Sequence, residues 1–321
     1  MKLYPLVFTP IIKARIWGGT ALHQTFNKSD IGEAAGESWE ISGVEGDVSV
    51  VANGPLEGKD LKELIQDYGK DLMGSSVIRK FGTEFPILIK FIDAQKDLSI
   101  QVHPDDMLAE KRHGGKGKTE MWYIMKSEPG ARLLLGFNKH YTPTHYEEHL
   151  NNNTLLEILH QEAVGKGQAY FIKAGTVHAI GAGIVLAEIQ QTSDITYRVY
   201  DYDRVDTTGN TRELHTELAL EAIDFEPATD ARLVYEKRQN QSSPLVDSPY
   251  FKTNILPVDG SVKLDLHSRD SFTILMAVEG EISISHNAYF VELAAGSTCL
   301  IPASLASIRL EGKGELLEIT L

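Results

Sequence analysis

Turns marked by glycine separate short apolar runs along almost the whole chain, which has 27 glycines among 321 residues. Short apolar runs bounded by turn residues are typical of β-strands, and a long succession of them favours a sandwich or a barrel. The sequence therefore predicts a mainly β protein with few helices.

Helical spacing of apolar residues is confined to three short stretches, residues 60–73, 144–160 and 213–223. Residues 105–112 could add a short helix. Polar residues dominate 235–249, which we interpret as a linker, and the stretch after it is strand-like with almost no helical signal. A single core rarely grows beyond ~250–300 residues. We therefore predict two domains, residues 1–235 and residues 250–321.

The overall composition excludes several classes of partner and location. A net charge of −14 argues against nucleic-acid binding, because phosphate backbones recruit clustered Lys and Arg. No apolar run approaches the ~18 residues of a membrane-spanning helix, and the first residues lack the apolar segment of a secretory signal. The single cysteine, Cys299, leaves no internal disulfide framework. We expect a cytoplasmic protein that binds a small molecule; the sequence indicates no oligomeric state.

An internal repeat links the two predicted domains. Residues 167–178 and 296–307 share a glycine, five mostly strand-forming residues, a turn and the start of a second strand. His178 of the first copy corresponds to Ser307 of the second. The pattern resembles the second motif of cupins, with Lys173 in place of the usual proline. The alternative is a chance likeness of two short segments. If the repeat is real, the second domain is a degenerate copy without a metal site.

A polar alternation marks residues 97–106. Three apolar residues alternate with Ser99, Gln101 and His103, so a strand here places the polar set on one face. Gln and His two residues apart on an inward face can bind one ion. A solvent-facing strand would show the same alternation, so this stretch alone leaves both interpretations open.

Two further candidate ligands lie on other predicted strands. Glu120 shares its strand face with apolar neighbours, and an inward carboxylate is costly unless it is paired or metal-bound. The alternative is a surface ion pair with Lys118. His178 lies on an apolar strand and could equally be a hydrogen-bonded core residue. With Gln101 and His103, these residues would supply N and O donors that suit zinc, Mn, Co or Fe(II).

A candidate for charge stabilisation follows in residues 188–204. Arg198 lies among strand-forming residues, where a guanidinium can bind phosphate or stabilise a developing oxyanion. The alternative is an ion pair with Asp201 or Asp203 at the sheet surface.

Four motifs, in this order, resemble those of type I mannose-6-phosphate isomerases in their shorter bacterial form. They are Ser-Ile-Gln-Val-His-Pro (99–104), Lys-Thr-Glu-Met (118–121), Gly-Thr-Val-His-Ala (175–179) and Ser-Asp-Ile-Thr-Tyr-Arg (193–198). Trp-Gly-Gly at 17–19 and Glu-Ser-Trp at 37–39 are also similar. The similarity runs from residue 5 to about residue 225, and the segment after Arg198, rich in Tyr and Asp, departs from the family pattern.

The resemblance implies two cupin-type jelly-roll barrels and an isomerase that interconverts D-mannose 6-phosphate and D-fructose 6-phosphate through an enediol. It implies one Zn²⁺ per chain, held by Gln101, His103, Glu120 and His178. It also implies a catalytic role for Arg198 and a sugar-phosphate pocket near Ser99, Lys118 and Lys90. Glu188 falls at the position of a family glutamate that is discussed as the proton-transferring base.

Two alternatives to the isomerase remain. The pair of histidines with one carboxylate would also suit an Fe(II) oxygenase, although a fourth ligand and Arg198 argue against it. A cupin can also be a non-catalytic sugar-binding domain, because fold does not fix function.

Overall fold

The computed structural model describes residues 2–32, 34–205, 209–228 and 230–321, and the mainly β prediction is confirmed. The strands are β1 Ile11–Gly19, β2 Ala35–Ile41, β3 Ile87–Ala94, β4 Ile100–Val102, β5 Glu120–Ser127, β6 Arg132–Phe137, β7 Leu159–Ala163, β8 Ala169–Ile172, β9 His178–Ile180, β10 Ile184–Gln191, β11 Tyr197–Tyr200, β12 Ser243–Asp247, β13 Lys252–Asp265, β14 Thr273–His286, β15 Tyr289–Ala294, β16 Thr298–Ile301 and β17 Ser307–Thr320. The helices are α1 Ala21–Gln24, α2 Leu61–Tyr68, α3 Lys70–Met73, α4 Ser75–Phe81, α5 Asp106–His113, α6 Pro143–Asn151, α7 Leu155–Ile158 and α8 Thr216–Ala222.

Each predicted helical stretch contains helix, but two are broken in the middle. The stretch 60–73 forms α2 and α3, which are divided at Gly69, a residue with a positive φ of 43°. Asp60 caps α2 by accepting from the Glu63 amide, while the Glu63 side chain accepts from the Asp60 amide. The stretch 144–160 forms α6 and α7 and then enters β7. The short helices α1 and α4 are not predicted from the sequence.

The N-terminal part of the chain forms two sheets that face each other. Sheet I has the strand order β1-β2-β3-β10-β5-β8, and sheet II has the order β11-β4-β9-β6-β7. Buried side chains of both sheets pack between them, for example Trp122 and Ile124 of sheet I with Leu133 and Ile180 of sheet II. We call this pair of sheets the N-terminal sandwich and the surfaces between them its inner faces.

Other layers cover the two outer faces of the sandwich. Apolar residues on the outer face of sheet II, such as Ile100 and Val102, pack with residues of α6, α7 and α8. The outer face of sheet I shares a core with sheet III, which has the order β12-β13-β17-β14-β15 with β16 against β14. Because both outer faces are covered, polar residues between the sheets lie deep inside the protein.

The predicted repeat has the same local structure in both copies. In the first, β8 is followed by a turn and by β9, whose first residue is His178; in the second, β16 is followed by a turn and by β17, whose first residue is Ser307. Gly167 and Gly296 precede the two units with positive φ values of 84° and 88°. The expected linker 235–249, by contrast, contains a strand, because β12 pairs with β13 at the edge of sheet III.

The Trp-Gly-Gly element at 17–19 ends β1 where two backbones come close together. A Cβ atom added at Gly18 would lie 2.5 Å from the Gly36 nitrogen of β2. Only glycine allows this approach without displacing a strand. Trp17, next to it, is buried in the core between the sheets.

Candidate metal centre and active site

Three buried candidate ligands converge between the inner faces. His103, Glu120 and His178 offer ligand atoms that all lie within 4.8 Å of one another. Glu120 Oε1 lies 3.3 Å from His103 Nε2, and Glu120 Oε2 lies 3.9 Å from His178 Nε2. Neither carboxylate oxygen accepts a hydrogen bond of good geometry from a described residue, although Oε1 lies 2.9 Å from the Lys118 ammonium. Two imidazoles and a buried carboxylate whose Oε2 has no hydrogen bond form a donor set that fits a divalent metal ion.

Gln101 joins this group from the strand beside His178. The two residues are direct partners in the antiparallel pairing of β4 with β9, and Gln101 Nε2 lies 3.3 Å from His178 Nε2. Ile100 and Val102 turn instead to the outer face. The inward interpretation of the polar alternation is therefore confirmed, and the structure brings together all four candidate ligands.

Backbone carbonyls fix the orientation of both imidazoles. His103 Nδ1 lies 2.9 Å from the Ile195 oxygen, and His178 Nδ1 lies 2.8 Å from the Thr176 oxygen. A hydrogen on Nδ1 in each ring satisfies these acceptors and leaves the Nε2 lone pair pointing into the site. Burial lowers the pKa of His178, and burial together with the Lys118 charge lowers the pKa of His103 to about 3. Both rings are therefore neutral, as metal ligands must be.

Lys118 lies against the candidate ligands rather than at the surface. Its Nζ is 2.9 Å from Glu120 Oε1 and 3.3 Å from His103 Nε2, and its side chain is only 6% exposed. The alternative of a Lys118–Glu120 ion pair at the surface is wrong, because the two residues do pair but inside the protein. Although burial opposes it, Lys118 holds the pKa of Glu120 well below its usual range.

A row of paired residues crosses the inner face of sheet I next to the candidate ligands. In the registers of five neighbouring strands, the row reads Trp39, Lys90, Glu188, Trp122 and Tyr170. Lys90 Nζ lies 3.0 Å from Glu188 Oε2, and the Trp122 indole donates to Glu188 Oε1 at 2.9 Å. Burial and the Glu120 charge raise the pKa of Glu188, against the opposing effect of Lys90 and Lys118. Lys90 and Glu188 thus form a buried pair beside the metal centre.

Arg198 enters the same site from sheet II. It is the direct partner of Gln101 in the pairing of β11 with β4, so both side chains lie on the inner face. Its Nη1 donates to the Glu213 carbonyl at 2.8 Å. Asp201 binds other arginines, and among the described residues Arg198 makes no ion pair with Asp201 or Asp203, so that alternative is wrong. Ser99 is buried at the start of the Gln101 strand.

Sequence reasoning gave no role to Glu37, although it noted the Glu-Ser-Trp element. Arg15 Nε donates to one Glu37 oxygen at 2.8 Å, and the Trp39 indole donates to the other at 2.6 Å. The Lys90 ammonium lies 5.2 Å from the centre of the Trp39 ring. Although burial opposes ionisation, the charges of Lys90 and Arg15 lower the pKa of Glu37 to about 2. Glu37 therefore adds a fixed negative charge behind Lys90.

A large surface groove of about 1620 Å³ lies outside this site. Residues of α2 and α5 and the loop 191–195 line it, whereas the four candidate ligands do not. Ile195 connects the two features, because its carbonyl accepts the hydrogen bond from His103. The chemistry-bearing residues are thus enclosed between the sheets rather than exposed in this groove.

Comparison with known proteins supports the resemblance over the full length. Residues 6–130 match the model of the phosphomannose isomerase type I catalytic domain, and residues 242–321 match that of the mannose-6-phosphate isomerase cupin domain. The chain is 35% identical to the mannose-6-phosphate isomerase ManA of Bacillus subtilis over 318 residues, which is 98% of each protein. The chain belongs to the type I mannose-6-phosphate isomerase family. It is also 32% identical to the mannose-6-phosphate isomerase of Streptococcus mutans, over 98% of this chain and 97% of that protein.

Solved structures of the family have the same fold. The crystal structure of the mannose 6-phosphate isomerase from Bacillus subtilis matches 99% of this chain and 100% of its own, with a TM-score of 0.89 and 32% identity. A variant of the phosphomannose isomerase of Salmonella typhimurium shares the fold at 17% identity, with a TM-score of 0.80. Among the described residues of this family member, no helix has the length and apolar character needed to span a membrane.

Proposed function

We propose that this protein is a zinc-dependent aldose–ketose isomerase that interconverts D-mannose 6-phosphate and D-fructose 6-phosphate in the cytoplasm. Residues 1–235 form the catalytic jelly-roll domain in this proposal, and residues 250–321 form a degenerate second jelly roll without a metal site. Membership of the mannose-6-phosphate isomerase family supports the activity. The four-residue donor set, in which Glu120 Oε2 has no hydrogen bond, supports one metal ion per chain.

The observation that carries the proposal is that a buried ion pair and an arginine lie next to the candidate metal ligands on the inner faces. The buried Lys90–Glu188 pair lies on sheet I, two residues in register from Glu120, and Arg198 lies opposite Gln101 on sheet II. An isomerase of this type needs a base, a group that stabilises negative charge and a metal in one enclosed space. All three are available here among buried or half-buried side chains.

Conversion of the aldose to the ketose moves one proton from carbon 2 to carbon 1 and a second proton from the oxygen of carbon 2 to the oxygen of carbon 1, through an enediol intermediate. In this proposal Glu188 accepts the proton from one carbon and returns it to the other. Its raised pKa suits this task, because a base works best when its pKa is near the working pH. Lys90 keeps the carboxylate oriented by its ion pair, and the Trp122 indole holds the second oxygen.

Cationic residues hold the substrate and its developing charge. Arg198 stabilises the enediolate through donors that the protein leaves available, and Lys118 and Ser99 contact the sugar phosphate. Gln101, His103, Glu120 and His178 would hold Zn²⁺, which when bound would polarise the carbonyl oxygen of the sugar and orient its hydroxyls. Exclusion of water by the covered sheets strengthens each of these electrostatic interactions.

A coupled assay that follows fructose 6-phosphate formation from mannose 6-phosphate tests the proposal. Two comparison substrates are used. Unphosphorylated mannose tests the requirement for the phosphate, and glucose 6-phosphate tests the requirement for the configuration at carbon 2. We expect turnover of mannose 6-phosphate and little or none of unphosphorylated mannose. No isomerisation by metal-loaded protein would overturn the proposal, and oxygen consumption with Fe(II) would favour the oxygenase instead.

A further inference from the structure

A buried carboxylate gathers two arginines at the end of β11. Asp201, only 5% exposed, accepts from Arg212 through Nε at 2.7 Å and through Nη2 at 2.5 Å. Arg204 Nη2 bonds the same carboxylate, and Arg204 Nε donates to the Asp201 carbonyl at 3.1 Å. These ion pairs lower the pKa of Asp201, although burial opposes the shift. One aspartate therefore fixes two guanidinium groups side by side.

Arg198 brings a third guanidinium close to this pair. Arg198 lies three residues before Asp201, and burial together with the charges of Arg212 and Arg204 lowers the pKa of Arg198. The buried Nε of Arg198 has no hydrogen-bond acceptor among the described residues. The exposed side chain of Glu213 is the other acidic group that acts on Arg198. Three guanidiniums thus face two carboxylates, in a protein whose net charge is −14.

The cluster is connected to the segment that leads into β4, the strand of Gln101. Arg204 Nη1 donates to the Asp97 carbonyl at 2.5 Å, three residues before that strand begins. Asp201 lies three residues beyond Arg198, the strand partner of Gln101, which is about 10 Å along an extended chain at ~3.3 Å per residue. This distance is comparable to the length of an extended hexose phosphate.

We propose that Arg212 binds the phosphate group of the substrate and that Asp201 is a positioning residue that holds Arg212 and Arg204 for this purpose. The inference rests on the proposed function for the identity of the substrate. Arg212 uses Nε and Nη2 to bind Asp201, and its Nη1 makes no hydrogen bond to any other described residue. Guanidinium donors of fixed orientation match the oxygens of a phosphate dianion.

The Arg212→Met variant tests the proposal through two readouts. The first is kcat and KM for mannose 6-phosphate, and the second is the binding of inorganic phosphate by calorimetry, which does not require turnover. We expect KM and the phosphate Kd to rise about 10- to 100-fold while kcat stays within about 3-fold, as for a contact made equally in ground and transition states. The KM and phosphate Kd of Arg212→Lys should lie between those of wild type and Arg212→Met, because the lysine charge still attracts phosphate but lacks the guanidinium geometry. Asp201→Asn should raise KM in the same direction.

Arg309→Met is the matched control. Arg309 pairs with Glu311 on sheet III, 60% exposed, and its loss should change neither readout. Unchanged KM and phosphate Kd in a folded Arg212→Met protein would overturn the proposal, as would a fall in kcat alone. If Arg212→Met does not fold, the lysine variant decides, and wild-type phosphate binding in it would also overturn the proposal. Phosphate binding through Arg212 in a protein that does not isomerise would sustain the anion site and refute the proposed function.

Discussion

The N-terminal sandwich and sheet III use the same strand–turn–strand unit for different purposes. In the sandwich, the unit places His178 between two sheets, beside Glu120 and the strand that carries Gln101 and His103. In sheet III, the matching Ser307 alternates with Arg309 and Glu311, both largely exposed, on the solvent side of β17. Ile308 and Leu310, on the other side, pack in the core.

This difference shows that a repeat can preserve backbone structure while changing what the strand presents. The row Trp39, Lys90, Glu188, Trp122 and Tyr170 collects charges on one inner face, whereas sheet III fills its core with Ile, Leu and Met. A buried charge is tolerated where a partner or a ligand compensates for it. The buried charges of the site, with their cost in folding free energy, thus lie in the N-terminal sandwich. Sheet III supplies an apolar layer that packs on the outer face of sheet I.

The largest expected difference between the two copies concerns the metal. His178→Ala should lose metal and isomerase activity, because it removes one of four donors to a single ion. Ser307→Ala, at the matching position, should lose neither. Metal content per chain and the coupled assay on both variants check this prediction. A His178→Ala protein that retains stoichiometric metal would break the proposed contrast between the copies.

A second pair of variants compares an arginine of each region. Arg198→Ala should reduce kcat by about 10²–10³-fold with little change in KM, melting temperature or metal content, as expected for a contact that stabilises developing charge. Arg269 lies in the loop between β13 and β14 of sheet III, with its Nη2 2.7 Å from Oε1 of the fully buried Glu318. Arg269→Ala should destabilise the fold by about 1–3 kcal/mol, because it leaves that oxygen unpaired while Ser242 and Asn254 still donate to Oε2.

The kinetic and thermal readouts separate these roles. Kinetics at a temperature where both variants are folded should show near-normal kcat for Arg269→Ala. A stable Arg269→Ala protein, or an Arg198→Ala protein with unchanged kcat, would contradict the assignment of one arginine to chemistry and the other to stability.

The smallest expected effect concerns Glu37 and the stability of the sandwich at low pH. Its pKa falls from 4.5 to about 2 on folding, so its ionised form adds stability that is complete above pH 4.5 and disappears as the pH falls toward 2. The shift corresponds to about 3 kcal/mol at most. Denaturant unfolding of metal-free protein should therefore show a weaker loss of stability over this pH range in Glu37→Gln than in wild type. Parallel curves would mean that Glu37 makes no such contribution.

Local patterns predicted the parts of the site that depend on one strand at a time. The alternation around Gln101 and His103 identified their common face, and the apolar neighbours of Glu120 indicated that it lies inside. Cross-strand pairs could not be predicted from the sequence. The pairing of Lys90 with Glu188 depends on the register between β3 and β10, which no short motif encodes. The Asp201–Arg212 contact joins residues 11 apart, and the sequence between them has no apolar periodicity that would predict it.

The sequence predicted the mainly β fold class but not the position and pairing of every strand. Short apolar runs and glycine turns indicate strands, yet they do not show that β12 lies within the polar stretch 235–249. That strand is at the edge of its sheet and has only five residues, Ser243–Asp247, whose buried and exposed positions do not alternate because the register shifts between Pro244 and Val246. Pairing with β13 stabilises it where local propensity does not.

The central claim is that one metal ion, held between the two facing sheets, supports isomerisation. Metal content and mannose 6-phosphate isomerase activity, measured on the same samples during stepwise chelation and then readdition of Zn²⁺, test it most directly. We expect activity to fall in proportion to metal content, to reach zero in the metal-free protein, and to return fully at one Zn²⁺ per chain. Full activity in protein shown to contain no metal would contradict it.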